Sequence, residues 1–213
     1  MKKNTFLAAL LFAAGVAALA GCRKEGESYS GLDTLTVSGT LGADLSDVAS
    51  VEAVADNNSV LAKGAMTGRD FTMTLRSPLP ATALTTDYAD IIDGLTVITS
   101  DTSATAVKVK GTRLHVMGYV SGGSYGSVLV KSKTAQRTSA TELYIYVDGD
   151  VTLTCDDVIE DDTLGQLTAK INLALQKGWN VVVVTRSEGK DGATVQAAKG
   201  SLGGVAWSSG NSL

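Results

Sequence analysis

The chain has 213 residues, with 18 Lys and Arg against 22 Asp and Glu, one His and two Cys. It has no long basic run, which argues against nucleic acid as a partner, and its mild acidity serves solubility. Two cysteines exclude a disulfide scaffold, and a single His excludes a His-based metal cluster within one chain. Aromatic residues are only 5% against 44% apolar, so Val, Ala, Leu and Ile must fill the interior, joined by Thr and 23 glycines. That mixture favours strands and turns over a helical bundle.

Lys2 and Lys3 precede an uncharged apolar run over residues 6–20. The run suits a secretory h-region and falls short of the about 20 apolar residues that a membrane span needs. It ends in Leu19-Ala20-Gly21-Cys22, with small residues just before the thiol. This N-terminus resembles the signal and lipobox of bacterial lipoproteins. The resemblance implies that residues 1–21 are a signal peptide cut after Gly21, with Cys22 carrying diacylglycerol on sulfur and an acyl chain on its new amine. Two or three chains anchor stably where one holds only marginally. The membrane is then a partner through Cys22, and the address is the bacterial cell envelope. Arg23 stands where an Asp often retains such proteins at the inner membrane, so the same resemblance points to the outer membrane. Without residues 1–21 the chain has 16 basic and 22 acidic residues, a net charge of −6.

Residues 22–31, with Glu25, Gly26, Glu27, Ser28 and Ser30, read as a polar, flexible tether. Pro78 and Pro80, the only prolines, mark a linker over residues 77–86. It divides an expected small domain, 32–77, from a larger one, 87–213. In the first, Leu35, Val37 and Leu41 alternate with Thr34, Thr36, Ser38 and Thr40, and Val51, Ala53 and Ala55 keep the period. Asp56-Asn57-Asn58-Ser59 reads as a turn, and Phe71, Met73 and Leu75 share a face opposite Thr72, Thr74 and Arg76. This order resembles small transthyretin-like or carboxypeptidase-regulatory-like sandwiches. A domain this small has little core and is expected to dock onto its neighbour.

In the second part, Leu114 and Val116 alternate with Arg113, His115 and Met117. Leu143, Ile145 and Val147 alternate with Tyr144 and Tyr146. Asp148-Gly149-Asp150 then reads as the tight turn of a hairpin into Val151, Leu153 and Cys155, since Asp-Gly tolerates the positive φ of a type I′ turn. Residues 163–177 fit two patterns. Leu167, Ala169, Ile171, Leu173 and Leu175 alternate as a strand, while Asp161, Asp162 and Thr163 could cap a helix ending at Gly178. Five consecutive matching positions favour the strand. The segment from Asn172 through Trp179 to Val181 resembles a hairpin of exported bacterial lipoproteins of unknown function. Residues 192–199 and 205–208 supply closing strands, with fraying expected after Trp207.

Four constellations bear on chemistry. Gly122-Gly123-Ser124-Tyr125-Gly126 matches the G-x-S-x-G nucleophile elbow, but Val128, Leu129 and Val130 follow, so a strand replaces the helix that the elbow needs. His115, the only histidine, precedes Ser124 and breaks the elbow's residue order. Arg113, His115, Met117 and Tyr119 share one strand face, either plain surface or a contact face for another protein. Asp148, Asp150, Asp156 and Asp157 form an acidic loop. Calcium is the metal such acids would suit, though EF-hand spacing is absent and a solvated loop guarding strand edges is the simpler reading. Cys155, on an apolar face without basic neighbours, reads as an inert thiol.

The expectation is an all-β protein of two small antiparallel β-sandwich-like domains. Its expected role is a noncatalytic envelope module that binds or supports another envelope protein, without a cofactor. The rivals are an exported hydrolase using carboxylates or Ser124, and a carrier of a small apolar ligand.

Overall fold

The computed structural model describes residues 28–85, 109–123, 126–161, 165–190 and 192–210. The fold is all-β and sandwich-like, with sheets not closed into a barrel. The signal and lipobox fall outside the described residues, as does Ser124.

Five strands come first: β1 (Thr34–Thr40), β2 (Val48–Ala55), β3 (Val60–Lys63), β4 (Ala65–Thr67) and β5 (Asp70–Arg76). The longer strands follow: β6 (Gly111–Val120), β7 (Gly126–Ala135), β8 (Thr138–Val147), β9 (Val151–Asp161), β10 (Gly165–Leu175), β11 (Gly178–Glu188), β12 (Gly192–Lys199) and the short β13 (Trp207–Ser209). Period-two alternation sets them out. In β5, for example, Phe71, Met73 and Leu75 are buried while the residues between them are exposed. The segment left open between helix and strand is strand β10, with Ala169, Ile171, Leu173 and Leu175 buried.

A three-stranded sheet, β1-β5-β4, lies apart from a large sheet ordered β3-β2-β6-β7-β8-β11-β12-β10-β9, with β13 added against β7. The expected domain boundary runs through this large sheet. β2 pairs antiparallel with β6, Val51 opposite Gly118 and Ala55 opposite Leu114. The linker is pinned as well: Thr85 and Gly111 exchange both backbone bonds, at 2.7 and 2.8 Å, and Ala83 is buried. The segments on either side of the prolines therefore pair in one sheet and share a core.

Two large cores form on opposite faces of the β8–β11 pair, beside a small cluster of Ala140, Val183 and Leu202. On one face, Tyr144, Tyr146, Trp179 and Val181 join Leu35, Val37, Phe71, Met73 and Trp207. On the other, Ile145, Val147 and Val182 meet Leu153, Ile171, Leu173 and Val195. Tyr144 and Tyr146, which alternate with Leu143, Ile145 and Val147, are thus buried as well, at 5% and 2% exposure. In the first core Trp207 packs edge-on to Phe71 with ring centres 5.3 Å apart, and stacks over Tyr144 at 6.2 Å. Gly39 lets it sit there, since a Cβ would lie 2.5 Å from the indole Nε1. Pairing also continues past Trp207 to Gly210, whose N–H donates to the Val128 carbonyl at 2.8 Å, so the expected fraying point lies inside the sheet.

Both hairpins read around the second core are corrected. β9 pairs with β10 and not with β8, because β8 has both edges filled, by β6 and β7 on one side and β11 on the other. Gly149 does not take a positive φ, so the type I′ turn is absent. β10 and β11 are likewise not neighbours, since β12 lies between them. Both connections instead carry the chain from one strand to another that it does not pair with. Buried Asn180 braces the second corner: its Oδ1 accepts from the Gln176 N–H at 3.1 Å, and its Nδ2 donates to the Gln176 and Gly178 carbonyls at 2.8 and 3.0 Å. Gly178 itself has φ +107°, and a Cβ there would meet the Leu32 carbonyl oxygen at 2.8 Å.

That close neighbour is the N-terminal segment. Leu32 and Trp179 exchange both backbone bonds at 2.9 Å, and the Val181 N–H donates to the Tyr29 carbonyl at 2.8 Å. Ser30 Oγ donates to Asn180 Oδ1 at 2.6 Å. β12 ends opposite Val182, and the segment takes the edge of β11 beyond that point. The tether expected to run freely to residue 31 is therefore held from Tyr29 onward.

Candidate functional site

Two places gather polar side chains. The first is the predicted face of β6. Arg113, His115, Met117 and Tyr119 are all half-buried on one side, opposite buried Leu114 and Val116. The side is organised by Asp56, at the end of β2. Its Oδ2 accepts from the Arg113 N–H at 2.7 Å and from Thr112 Oγ1 at 3.1 Å, and its Oδ1 lies 2.8 Å from His115 Nε2. Next to it Lys63 Nζ pairs with Glu52 at 2.9 Å. The hydrogen bond to Glu52 and then its charge raise the Lys63 pKa, so the ammonium stays charged at neutral pH. The face is a set of ordered, paired polar groups around the apolar Met117.

The second place did not emerge from the sequence. Glu142 stands in β8 within Thr141-Glu142-Leu143-Tyr144-Ile145, and its side chain is 2% exposed. Burial of a carboxylate requires partners, and it has four, which make five hydrogen bonds. Lys131 Nζ, from β7, donates to both oxygens at 3.1 Å. Tyr144 Oη donates to Oε1 at 2.5 Å, Ser201 Oγ donates to Oε2 at 2.8 Å, and the Leu202 N–H donates to the same oxygen. Burial first, then the Glu142 charge and the hydrogen bond to it, push the Tyr144 pKa well above that of an ordinary phenol. Tyr144 therefore stays a neutral donor. A carboxylate with about four lone-pair sites, all engaged, is a poor general base and a strong clamp. Here it ties the loop after β12 to the sheet.

This clamp lies at a cleft of about 320 Å³, walled by Tyr29 of the docked N-terminal segment, Thr36 and Ser38 of β1, and Ser201. The signal that could have exposed it is a single charge, Glu142, inside an apolar strand. Nothing local announces Lys131, 11 residues away, or Ser201, 59 away.

The structure separates the remaining candidates. Asp148 and Asp150 serve the corners: Asp148 Oδ1 accepts from the Lys110 N–H at 2.7 Å, and Asp150 Oδ1 from the Lys177 N–H at 2.8 Å. Asp156 and Asp157 lie further along β9, opposite Lys170 and Ala169. Among the described residues, no group of three or more His, Cys, Asp or Glu is placed to hold a metal. Cys155 is opposite Ile171 in the β9–β10 ladder. Ser124 and Cys22 lie outside the described residues, but β6 and β7 flank Ser124 as an antiparallel pair, with Tyr119 opposite Gly126. Comparison of the chain with protein-family models, with curated proteins and with solved structures finds no match.

Proposed function

We propose that this protein is a lipid-anchored module of the bacterial cell envelope, without a catalytic role, that binds or supports another envelope protein. The anchor rests on Leu19-Ala20-Gly21-Cys22 behind an uncharged apolar run. The observation that carries the noncatalytic reading is the saturation of Glu142: the buried carboxylate at the cleft is spent on holding the fold. The ordered β6 face, with Met117 between Arg113, His115 and Tyr119, is the contact surface of this reading.

The rivals need other features. A hydrolase working through carboxylates needs two in one cleft. A carrier of an apolar ligand needs a roomy apolar cavity, whereas Trp179, Trp207, Tyr146 and Ile145 pack the two cores with each residue at most 2% exposed.

The test uses Cys22→Ser in cells. The variant is expected to leave the membrane fraction or to accumulate as uncut precursor, and unchanged membrane partition overturns the anchor. A photocrosslinker at Met117 is expected to trap one dominant envelope protein. Equal trapping from Thr152, exposed on β9, overturns the contact face.

A further inference from the structure

We propose that the cleft beside Glu142 binds a small neutral polyhydroxyl ligand, a mono- or disaccharide, between the Lys131–Glu142 floor and the hydroxyls of Thr36, Ser38 and Ser201. The site is separate from the β6 face and does not depend on the lipid anchor.

The lining selects the chemistry. The floor is an ion pair, one cation against one anion, so its net charge is zero. An anionic ligand drawn to Lys131 meets Glu142 at the same point and gains little. A cationic ligand would have to displace Lys131 from a bond to both carboxylate oxygens. An apolar ligand would strip water from the hydroxyls and return no hydrogen bond, at a cost of about 1–3 kcal/mol for each group left unpaired. A neutral ligand that is itself rich in hydroxyls avoids all three penalties.

The donor count agrees. An ammonium carries three N–H donors, and Glu142 takes two of those on Lys131, which leaves one for a ligand hydroxyl. The Thr36 and Ser38 hydroxyls can each donate and accept, as a sugar hydroxyl does, while Ser201 Oγ, whose proton goes to Glu142, can accept. Half-buried Tyr29 adds an amphipathic ring on the wall. The volume of about 320 Å³ lies at the small end of ligand pockets, which suits a mono- or disaccharide and excludes a long chain. Among the described residues that line it, Glu142 is the one carboxylate, and it is saturated, so the cleft would hold such a ligand without hydrolysing it.

The walls also come from parts of the chain far apart in sequence: the N-terminal segment, β1, β7, β8 and the loop after β12. A ligand bound there bridges them and adds its binding free energy to the folded state.

The test is a backbone-amide NMR titration of the full chain with maltose, with N-acetylglucosamine and, as the anionic comparator, with glucuronate. One or both neutral sugars are expected to move the Lys131, Glu142, Val181 and Leu202 resonances along one saturable curve, with glucuronate weaker. Thr36→Arg puts a long side chain into the cleft from an exposed strand position outside the Glu142 network, and is expected to weaken binding roughly tenfold or more. Ser38→Arg does the same from the next exposed position on that face, should the first variant fail to fold. The proposal is overturned if neither neutral sugar gives a saturable shift at these amides, if glucuronate binds more tightly, or if a folded cleft-filling variant keeps the wild-type affinity.

Discussion

The two cores are built on opposite faces of the same two strands, yet they are held together differently. The first is aromatic and draws on both ends of the chain, from Leu35 to Trp207. The second is aliphatic, and all its buried residues lie between Ile145 and Val195. Aromatic rings carry preferred geometries as well as area, so the first core is keyed by shape: Trp207 edge-on to Phe71 and stacked on Tyr144, Tyr146 edge-on to Trp179. Val, Ile and Leu impose less geometry, and volume-conserving exchanges among such residues usually cost under about 1.5 kcal/mol. The first core therefore specifies how distant segments meet, while the second mainly supplies burial. It is also the first core that borders the Glu142 cleft.

The sharpest way to break this contrast is to remove one large residue from each core. Trp207→Ala should cost about 3–5 kcal/mol. It deletes two ring contacts and the indole hydrogen bond to the Ser38 carbonyl, and it loosens β13 against β7. Leu173→Ala should cost about 2–5 kcal/mol, from the lower part of that range if neighbouring aliphatic side chains relax into the space. Leu173→Met should be nearly silent. Denaturant titration of the three variants ranks them, and a Leu173→Ala loss larger than that of Trp207→Ala would refute the contrast.

The second prediction concerns the polar group that only the aromatic side carries. Glu142→Gln leaves Lys131 without its counter-charge at 12% side-chain exposure, and should cost about 3 kcal/mol, the low end for a broken buried pair. The variant should also move the Tyr144 titration down toward the ordinary phenol range. It removes the charge and weakens the hydrogen bond, which an amide oxygen can still accept, but leaves burial, the largest cause, so the group should still titrate above a free tyrosine. The linkage has a definite sign. The folded-state pKa is raised above the unfolded value of about 10, so this stabilisation is complete below pH 10 and is lost as pH rises through the folded pKa. Wild type should lose stability in that alkaline window more steeply than Glu142→Gln. Tyrosinate absorbance and denaturant midpoints measured across the window check both parts, and identical pH profiles would remove Glu142 from the account.

The contrast also explains what could be read from the chain. Alternation states which residues are apolar on a face, and it located β5, β10 and the β6 face of Arg113, His115, Met117 and Tyr119 correctly. It does not state what lies along a strand's edge. Leu143, Ile145 and Val147 announced one buried face of β8, but a second core on the Tyr144 and Tyr146 side depends on Trp207 and Trp179 arriving from elsewhere. The Asp-Gly pair after β8 satisfied every local requirement of a hairpin, and it failed because β6, β7 and β11 had already filled both edges. The partners of the functional groups were hidden for the same reason. Asp56 sits 59 residues from His115, and Ser201 the same distance from Glu142.

The smallest effect belongs to the aliphatic side, where polar groups brace corners and not a core. Asp150 Oδ1 accepts the Lys177 N–H and so links the β8–β9 corner to the β10–β11 corner, at an exposed position. Solvent can replace much of that bond, so Asp150→Ala should cost about 1 kcal/mol. The loss should be local. β9 and β10 keep eleven paired positions and their buried faces, whereas the Lys177 amide loses its acceptor. Hydrogen exchange should therefore quicken at residues 176–178 and stay unchanged along β1 and β5 across the molecule. Faster exchange at β1 and β5 as well would mean that the corners support the aromatic core too, and the two cores would then have to be treated as one cooperative unit.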